Sequence, residues 1–532
     1  MIKGKIQSLL NPIILICGML FFGALSVYFG QDANWDLKDY HYYNPYAFLN
    51  GRIDFDYAPA QFQSYLNPLT DLPFYYLVTC LPPRWAGFIM GALHGINFWL
   101  AYLIAYNVFL FKSNAKRIIN SLICAAIGVY GPGFLTTLGT TFNDNLVSLF
   151  VLAALLLVIK NLSRDKSSWA VFFISGLILG FGAGLKMTLM VFAVGALIAV
   201  PLLFKGWKER VTSIAVYGTA VAGGFVLSSG FWMLTLWNKF HSPLFPLYNR
   251  IFKSPYFDYV NFSDQRFIPK NFIQFLLHPL PFAAENALFM GLGFRDLRFA
   301  IIYFLVILAI FKGIYGLYIS KRPLPINDKD GDNVNRKTAL FLVAFFAASY
   351  VVWQAVFAIY RYIVALEILG PIIIILLLSY IFKKFYARTA VAIVLFAVIA
   401  VGVQFPDWGR ASWADSYFGV EVPPIEYGKG AIIVMIGVEP ISYVIPFFPA
   451  DIRFVRVQSN FQDPAKKNMF QLEIQQLLKK QTGPAYLFTT AKTTVEEAQN
   501  IVKSYQLQIN PQSCMFIKSR LQNDLLLCRM ER

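Results

Sequence analysis

Charged side chains are scarce in this sequence. They make up 14% of its 532 residues, whereas hydrophobic residues make up 57% and phenylalanine alone occurs 51 times. Repeated apolar runs of about 20 residues are long enough to cross the ~30 Å hydrocarbon layer of a bilayer, so we predict a polytopic membrane protein. The net charge of +17 does not indicate nucleic-acid binding, because the basic residues cluster in short loops between the apolar runs.

Cysteine is also rare, and the sequence has no internal repeat and no low-complexity tract. Of the five cysteines, Cys17, Cys80 and Cys124 lie in apolar segments and show no metal-ligand spacing. Cys514 and Cys528 lie in the polar tail, where a disulfide is plausible in an oxidising compartment. The lack of a repeat disfavours a transporter, because transporters often carry repeat symmetry.

Eleven apolar segments are predicted to span the membrane. They are 9–29, 85–111, 117–136, 143–159, 169–185, 187–204, 212–237, 298–319, 338–358, 362–382 and 389–405. A further segment, 68–82, is short and contains Asp71 and Pro73, so we predict a juxtamembrane or re-entrant helix. The basic loops, among them Lys160/Arg164/Lys166 and the linker 320–337, then fall on one side. We therefore predict a cytoplasmic N-terminus and a C-terminus on the outer side.

The fold class predicted is a mostly α membrane module followed by a small extracytoplasmic α/β domain. Residues 1–405 form the module, with outer loops at 30–84 and 238–297, and residues 406–532 form the domain. The domain's predicted elements are strands at 431–436 and 485–490, helices at 467–480 and 494–505, and a hairpin of 514–517 with 525–528.

The predicted topology gathers the unusual polar residues on the outer face. Asp36, Asp39 and His41 lie among aromatic residues in the first outer loop, where a half-buried carboxylate can have its basicity tuned. An interfacial aromatic belt is the alternative interpretation of this loop. Lys186 and Arg361 are cations in very short connections between spans. They lie on the predicted outer side, which usually has few basic residues, so an anion or a cavity is expected nearby.

Carboxylates on one loop and cations on two others suit one reaction class. Transfer of a sugar from a lipid-linked phosphate needs a base for the acceptor hydroxyl and cations for the departing phosphate. Such a reaction uses no nucleotide, which the outside of the cell lacks. Apolar grooves between the spans can hold a polyprenyl tail.

Residues 10–400 resemble the C-type (GT-C) integral-membrane glycosyltransferases, in the branch of the protein O-mannosyltransferases and aminoarabinose transferases. The matches are Asp36, Tyr40 and Leu49-Asn50-Gly51 in the first outer loop, Pro73-Phe74-Tyr75-Tyr76-Leu77, Thr141-Phe142-Asn143-Asp144, Gly184-Leu185-Lys186 and Tyr360-Arg361-Tyr362. The resemblance implies an inverting glycosyltransferase of the bacterial inner membrane. It would move a sugar from a polyprenyl-phosphate donor to a lipid-, glycan- or protein-linked acceptor on the periplasmic face, where the C-terminal domain is then expected to lie.

The resemblance also implies roles for the matching residues. Asp36 is the expected general base; because Leu37 stands where the family has a second acid, Asp39 is the alternative base or a metal or sugar ligand. Asp144 is expected to orient the acceptor or polarise the site. Lys186 and Arg361 are expected to bind the donor phosphate, Arg as the bidentate partner. The expected substrate-binding residues are Tyr40, His41, Tyr360, Tyr362 and Glu367.

Plainer roles stay open for several of these residues. Asp144 could cap the following helix, Lys186 could extend to the lipid headgroups, and Arg361 could pair with Glu367. The resemblance implies no required cofactor, although Asp36, Asp39 and Asp144 offer hard oxygen ligands for Mg²⁺ or Mn²⁺. The competing functions are a lipid-linked glycan flippase or transporter, and an O-antigen-type polymerase.

Overall fold

The computed structural model describes residues 2–163, 168–261, 264–320 and 333–532. Arg164, Lys166 and most of the predicted linker 320–337 lie outside the described residues. The helices of the first 405 residues are α1 (Ile2–Phe29), α2 (Tyr43–Leu49), α3 (Leu72–Cys80), α4 (Pro83–Val108), α5 (Asn114–Val129), α6 (Pro132–Thr136), α7 (Asp144–Leu162), α8 (Trp169–Leu185), α9 (Met190–Ala199), α10 (Trp207–Phe240), α11 (Asn249–Phe252), α12 (Phe272–Leu277), α13 (Arg298–Ser320), α14 (Arg336–Val356), α15 (Val364–Ile381) and α16 (Phe385–Gly402).

Nine of the eleven predicted spans each coincide with one longer helix, whereas 117–136 is divided between α5 and α6, and 187–204 consists of the ten-residue α9 between two 3₁₀ turns. Within the described residues, seven helices are long and apolar enough to cross a membrane, and two shorter apolar helices cover Trp169–Leu185 and Met187–Leu203. A multi-pass membrane protein is therefore supported, whereas the count of eleven spans and the orientation of the termini stay predictions. The segment 68–82 contains only the nine-residue helix α3, too short to span a bilayer.

The centre of the membrane module is α15. Apart from Glu367 near its start, its side chains are predominantly apolar on all sides, which is typical of a helix enclosed by others. Of the most apolar window within Tyr360–Ile381, 83% is buried. By contrast, α1 and α16 lie at the periphery of the module. Only 28% and 22% of the residues in their most apolar windows are buried.

Small residues bring α8 and α10 into close contact. A side chain at Gly180 would meet the carbonyl oxygen of Val221, and one at Gly224 would meet that of Leu177. The glycines therefore permit the backbone approach that drives helix association in membranes. This packing fixes the end of α8, which Lys186 follows directly.

The C-terminal part contains one mixed sheet. Its strands are β3 (Ile432–Ile436), β4 (Arg453–Gln458), β5 (Ala485–Thr490), β6 (Gln508–Ile509), β7 (Met515–Phe516) and β8 (Leu525–Glu531), and its helices are α17 (Met469–Lys480) and α18 (Val495–Val502). Two short strands of the membrane module, β1 (Phe109–Leu110) and β2 (Asn333–Val334), pair with each other.

The sheet order is β4-β3-β5-β8-β6, with β7 also paired to β8. Strands β3, β4 and β5 are parallel, whereas β8 runs antiparallel to β5. The predicted strands and helices coincide with β3, β5, α17 and α18, and the predicted hairpin is β7–β8 with a Cys514–Cys528 disulfide. Strand β4 escaped the sequence analysis, and the domain boundary at 405/406 stays a prediction.

The sheet packs directly on the first outer loop. Asp56 accepts hydrogen bonds from Arg52 and from the backbone amide of Phe454 in β4. Arg456, fully buried in β4, donates to the carbonyl oxygen of Pro59 at 2.6 Å. The catalytic loop predicted from the sequence is therefore held between the membrane helices and the C-terminal sheet.

Candidate active site

Four of the predicted site residues meet in one group, here called the outer polar cluster: Asp36, Asp144, Lys186 and Arg361. The Asp144 carboxylate lies 2.5 Å from Lys186 Nζ and 3.1 Å from Arg361 Nε. Arg361 also lies 3.4 Å from Asp36 Oδ2. The four residues come from four separate segments, so the fold alone brings them together.

Asp36 stands at the start of a five-residue π-helical turn, Leu37–His41. Asp32 holds this segment against the second outer loop, because its carboxylate accepts hydrogen bonds from the Thr141 amide and hydroxyl, both at 2.9 Å. The Asn34 amide group also donates to Asp32. The two outer loops that carry Asp36 and Asp144 are thus tied to each other.

Lys186 follows α8 and is fixed from two directions. Its ammonium group donates to the Phe142 carbonyl oxygen at 2.7 Å as well as to Asp144. The first outer loop reaches the same helix end, where Thr70 donates to the Leu185 carbonyl at 3.0 Å. Lys186 therefore faces the cluster and does not extend to headgroups.

Arg361 lies in a short 3₁₀ turn, Tyr360–Ile363, between α14 and α15. Its guanidinium group stacks on the Phe142 ring at 3.8 Å and lies 5.6 Å from the Trp408 ring centroid. Cation–π contacts of this kind hold the guanidinium plane without consuming its hydrogen-bond donors. The side chain pairs with Asp36 and Asp144, and not with Glu367.

The charges of the cluster balance, but its contacts are unequal. Asp144 has a 3% exposed side chain and contacts both cations, whereas Asp36 is 19% exposed and, among the described residues, is paired only with Arg361, at 3.4 Å from both Nη1 and Nη2. Burial lowers the pKa of Lys186, and the nearby Asp144 carboxylate acts in the opposite direction. Asp36 is therefore the carboxylate that an entering anion can separate most easily from its cation.

Two predicted aromatic residues line the same cluster. Tyr362 lies below both cations, with its ring centroid 5.3 Å from Lys186 Nζ and 5.8 Å from the Arg361 guanidinium carbon. Tyr40 interacts electrostatically with Asp36 and Arg361. His41 stacks beside Tyr40 with ring centroids 4.0 Å apart, but its Nδ1 lies 2.7 Å from Asp71.

Asp39 lies on the same turn as Asp36 but in different surroundings. It is completely buried, and its Oδ1 accepts a long hydrogen bond of 3.4 Å from Gln61. Burial raises its pKa to about 7, while the positive charge of Arg456 in the C-terminal sheet acts in the opposite direction. Its neighbours Gln61 and Arg456 place Asp39 against the C-terminal sheet.

Tyr360 and Glu367 belong to a second group, here called the buried ionic network: Asp296, Arg298, Tyr360 and Glu367. Tyr360 donates to Asp296, and Arg298 Nε lies 3.1 Å from the same carboxylate. Glu367 accepts hydrogen bonds from the Gly133 and Phe134 amides, both at 2.8 Å. The structure therefore does not bring Tyr360 and Glu367 into the outer polar cluster, and their predicted contact with substrate stays untested.

The described residues contain no group of three or more His, Cys, Asp or Glu side chains that could hold a metal ion. Asp36 and Asp144 are paired with cations, and Asp39 faces Arg456 and Gln61. The three predicted carboxylate ligands are thus not arranged as one ligand set. A metal requirement stays an open prediction.

Sequence reasoning missed several supporting residues. Asp32 joins the two outer loops, and Asp71 accepts from Asn143 at 2.6 Å while contacting His41. Trp408 closes the aromatic wall around Arg361, although it lies beyond the last span. Acidic residues of the first outer loop were visible as a group, but nothing local indicated that Trp408 would fold back onto the site.

Residues 75–233 match a family model described as dolichyl-phosphate-mannose-protein mannosyltransferase. The matched region covers less than half of the chain; it includes Asp144 and Lys186 but neither Asp36 nor Arg361. A search of curated proteins finds no match to the chain. Together with the apolar helices, the match supports a membrane glycosyltransferase of the GT-C superfamily that uses a lipid-linked sugar donor.

Proposed function

We propose that this protein is an inverting glycosyltransferase that moves a sugar from a polyprenyl-phosphate donor to an acceptor on the outer, periplasmic face of the membrane. The observation that carries the proposal is the convergence of Lys186, Arg361, Asp144 and the more exposed Asp36 from four segments. A pair of cations beside a carboxylate with a weak contact is suited to separating a sugar from a phosphate.

The donor phosphate is assigned to Lys186 and Arg361. A phosphate entering between them competes with Asp36 for Arg361, because that contact is 3.4 Å, whereas the Asp144 contacts are 2.5 and 3.1 Å. Asp144 then keeps the two cations together. Asp36, released from Arg361, becomes a stronger base than it is in the ion pair. This assigns Asp144 to positioning the cations and Asp36 to catalysis.

The chemical step is a single displacement. Asp36 takes the proton of the acceptor hydroxyl, and the hydroxyl oxygen forms a bond to the anomeric carbon. The bond between that carbon and the phosphate oxygen breaks, and its electron pair leaves with the polyprenyl phosphate. Lys186 and Arg361 stabilise the added negative charge, and attack opposite the leaving group inverts the anomeric centre.

The donor's lipid tail fits an apolar groove directly below the cluster. The groove has a volume of about 500 Å³ and lies between α4, α7, α8 and α10. Its lining includes Phe150, six residues into α7 from Asp144, and Phe181, five residues before Lys186. At 1.5 Å per helical residue the groove begins roughly 8 Å from the charged groups, a separation that a phosphate joined to a prenyl chain can bridge.

The test compares wild type with Asp36→Asn in purified, lipid-reconstituted protein. Polyprenyl-phosphate release is measured with a panel of lipid-phosphate sugars and a membrane-extract acceptor. We expect turnover to fall by about 10²–10⁴-fold, the usual contribution of a general base, while donor binding persists. Asp39→Asn is the matched control on the same turn and is expected to retain turnover.

Two results would contradict the proposal in different ways. Equal turnover in Asp36→Asn would assign the base to Asp39 or Asp144 and overturn the role of Asp36. No donor consumption by wild type, together with movement of lipid-linked glycans across the bilayer, would favour the flippase. Use of a lipid-linked glycan as acceptor in the same assay would identify the polymerase variant of the reaction.

A further inference from the structure

The C-terminal sheet presents one edge to the turn that carries Asp36. The chain passes from β3 to β4 on one side and then, through α17, to β5 on the other side of β3. The direction of the strand order therefore reverses between β3 and β5. In open sheets with parallel strands, ligands bind beyond the carboxyl ends of the strands at such a reversal.

The residues that follow these two strand ends, Gly437–Glu439 and Thr490–Lys492, are here called the strand-end junction. Lys492 and Glu439 connect its two sides by an ion pair of 3.1 Å. Gln61 of the first outer loop donates to the Val438 carbonyl oxygen at 3.1 Å. The junction is thus in direct contact with the loop of the active site.

Lys38 joins the junction to the catalytic turn. Its ammonium group interacts electrostatically with Glu439, Lys492 and Asp524, and among the described residues it has no ion pair within 4 Å. Lys38 lies two residues after Asp36 and within the same turn, so the junction is connected to the turn that carries the proposed base. The Ala491 amide donates to the Asp524 carbonyl oxygen at 2.7 Å, which keeps Asp524 at this edge.

Hydrogen-bonding capacity is unused around the junction. At the junction and the segments that contact it, the buried oxygen atoms without a hydrogen-bond partner among the described residues include Gln61 Oε1, Thr490 Oγ1 and Asp524 Oδ1. Gln61 is oriented by its donations to Val438 and Asp39, so its oxygen is the free acceptor. Buried polar groups are normally paired, so this excess of acceptors calls for a ligand rich in donors.

We propose that the strand-end junction is the acceptor-binding site and that the acceptor is a glycan. This inference rests on the proposed function and names the acceptor that the sequence leaves open. A sugar carries a hydroxyl donor on most of its carbons, whereas a peptide backbone offers one amide donor per residue. The surplus of acceptor oxygens therefore favours a hydroxyl-rich acceptor over a protein segment.

The first experiment measures acceptor use by the full, reconstituted protein. The probes are methyl glycosides and disaccharides of common hexoses and hexosamines, compared with a Ser/Thr-rich peptide. We expect the rate of polyprenyl-phosphate release to saturate as the concentration of a glycoside rises. Glu439→Gln is expected to raise the KM for that glycoside by a factor about ten times larger than the factor for the donor KM, because the loss of one charge-assisted hydrogen bond weakens binding by about this factor.

The control is a second Lys–Glu pair on the same domain. Lys518 and Glu421 form an exposed pair of 2.6 Å, and Glu421→Gln is expected to leave both KM values unchanged. An unchanged acceptor KM in Glu439→Gln, or saturation by the peptide and by no glycoside, would overturn the proposal.

A second readout needs no turnover. Lys492 and Lys518 are 65% and 70% exposed, so both amines are open to acylation that mass spectrometry can quantify. We expect the saturating glycosides to protect Lys492 and not Lys518. If wild type consumes no donor, the proposed function fails, and equal acylation of Lys492 with and without glycoside separately rejects the site.

Discussion

The outer polar cluster and the buried ionic network contain the same kinds of residues in very different states. Arg361 belongs to the cluster and its chain neighbour Tyr360 to the network. In the network, the side chains of Arg298 and Asp296 are both fully buried and form an ion pair of 3.1 Å. In the cluster, the side chains of Asp36 and Arg361 keep 19% and 13% exposure and lie 3.4 Å apart.

This difference separates a site that can exchange partners from one that cannot. Arg298 donates to the backbone oxygens of Gly128, Tyr130 and Glu367 as well as contacting Asp296. Removing any member leaves a buried charge or amide unpaired, which is costly. Arg361 is held by aromatic rings and by Asp144 at 3.1 Å, whereas its contact with Asp36 is longer, at 3.4 Å, so a phosphate can replace Asp36 at little cost.

The largest expected effect is on the network. Glu367→Ala removes the acceptor of the Gly133 and Phe134 amides and a negative charge close to Arg298. We expect a loss of about 3–5 kcal/mol of stability, seen as a lower thermal unfolding midpoint in detergent. Glu367→Gln retains one acceptor oxygen and should lose less. An unchanged midpoint in Glu367→Ala would show that the network is not structural and would reopen Glu367 as a substrate ligand.

Sequence reasoning located the cluster because its members stand out from their surroundings. Lys186 and Arg361 are cations at short junctions on one predicted face, and Asp36 interrupts an aromatic stretch. The pairing pattern was beyond the sequence, because Arg361 reaches Asp36 across 325 positions of the chain. Nothing in the sequence indicated that Tyr360 and Arg361, neighbours in a 3₁₀ turn, contact different groups, and the substrate contact predicted for Tyr360 stays untested.

The fold, like the site, could be predicted from the sequence only in part. The long apolar helices and the strands β3 and β5 follow from hydrophobic runs. Strand β4 was missed because charged residues interrupt it: Arg453 stacks over Phe55 and Arg456 is buried against the first outer loop. These arginines satisfy tertiary partners that no local pattern reveals.

The next largest effect concerns the cluster. Arg361→Met removes one of the two proposed phosphate ligands, and a charge-assisted contact contributes roughly 1.5–3 kcal/mol. We therefore expect donor kcat/KM to fall about 10- to 150-fold, with a smaller change in unfolding midpoint than Glu367→Ala causes. Arg361→Lys keeps the charge but loses the planar guanidinium group. Its donor kcat/KM should lie between the values of Arg361→Met and wild type. A larger stability loss than in Glu367→Ala would erase the distinction between the two groups.

A smaller effect is expected where the two groups meet. Tyr360→Phe removes the hydroxyl that donates to Asp296 but keeps the ring, so the turn carrying Arg361 loses one anchor. We expect about 1 kcal/mol of lost stability and a several-fold rise in donor KM, while the pH profile of kcat is unchanged. A change in pH profile with an unchanged KM would mean that Tyr360 contacts the reacting groups directly.

A pH-dependent effect distinguishes the two acids of the catalytic turn. Burial raises the pKa of Asp39 to about 7, so from about pH 4 to 7 the unfolded chain releases this proton while the folded chain retains it. Stability linked to Asp39 is therefore present below pH 4 and declines as pH rises through 7. Asp39→Asn cannot ionise, so its unfolding midpoint should rise relative to wild type between pH 4 and 7 and then remain level. A difference that stays level over this range would mean that Asp39 is already charged in the folded protein, paired with Arg456, and Asp39 would again compete with Asp36 as the base.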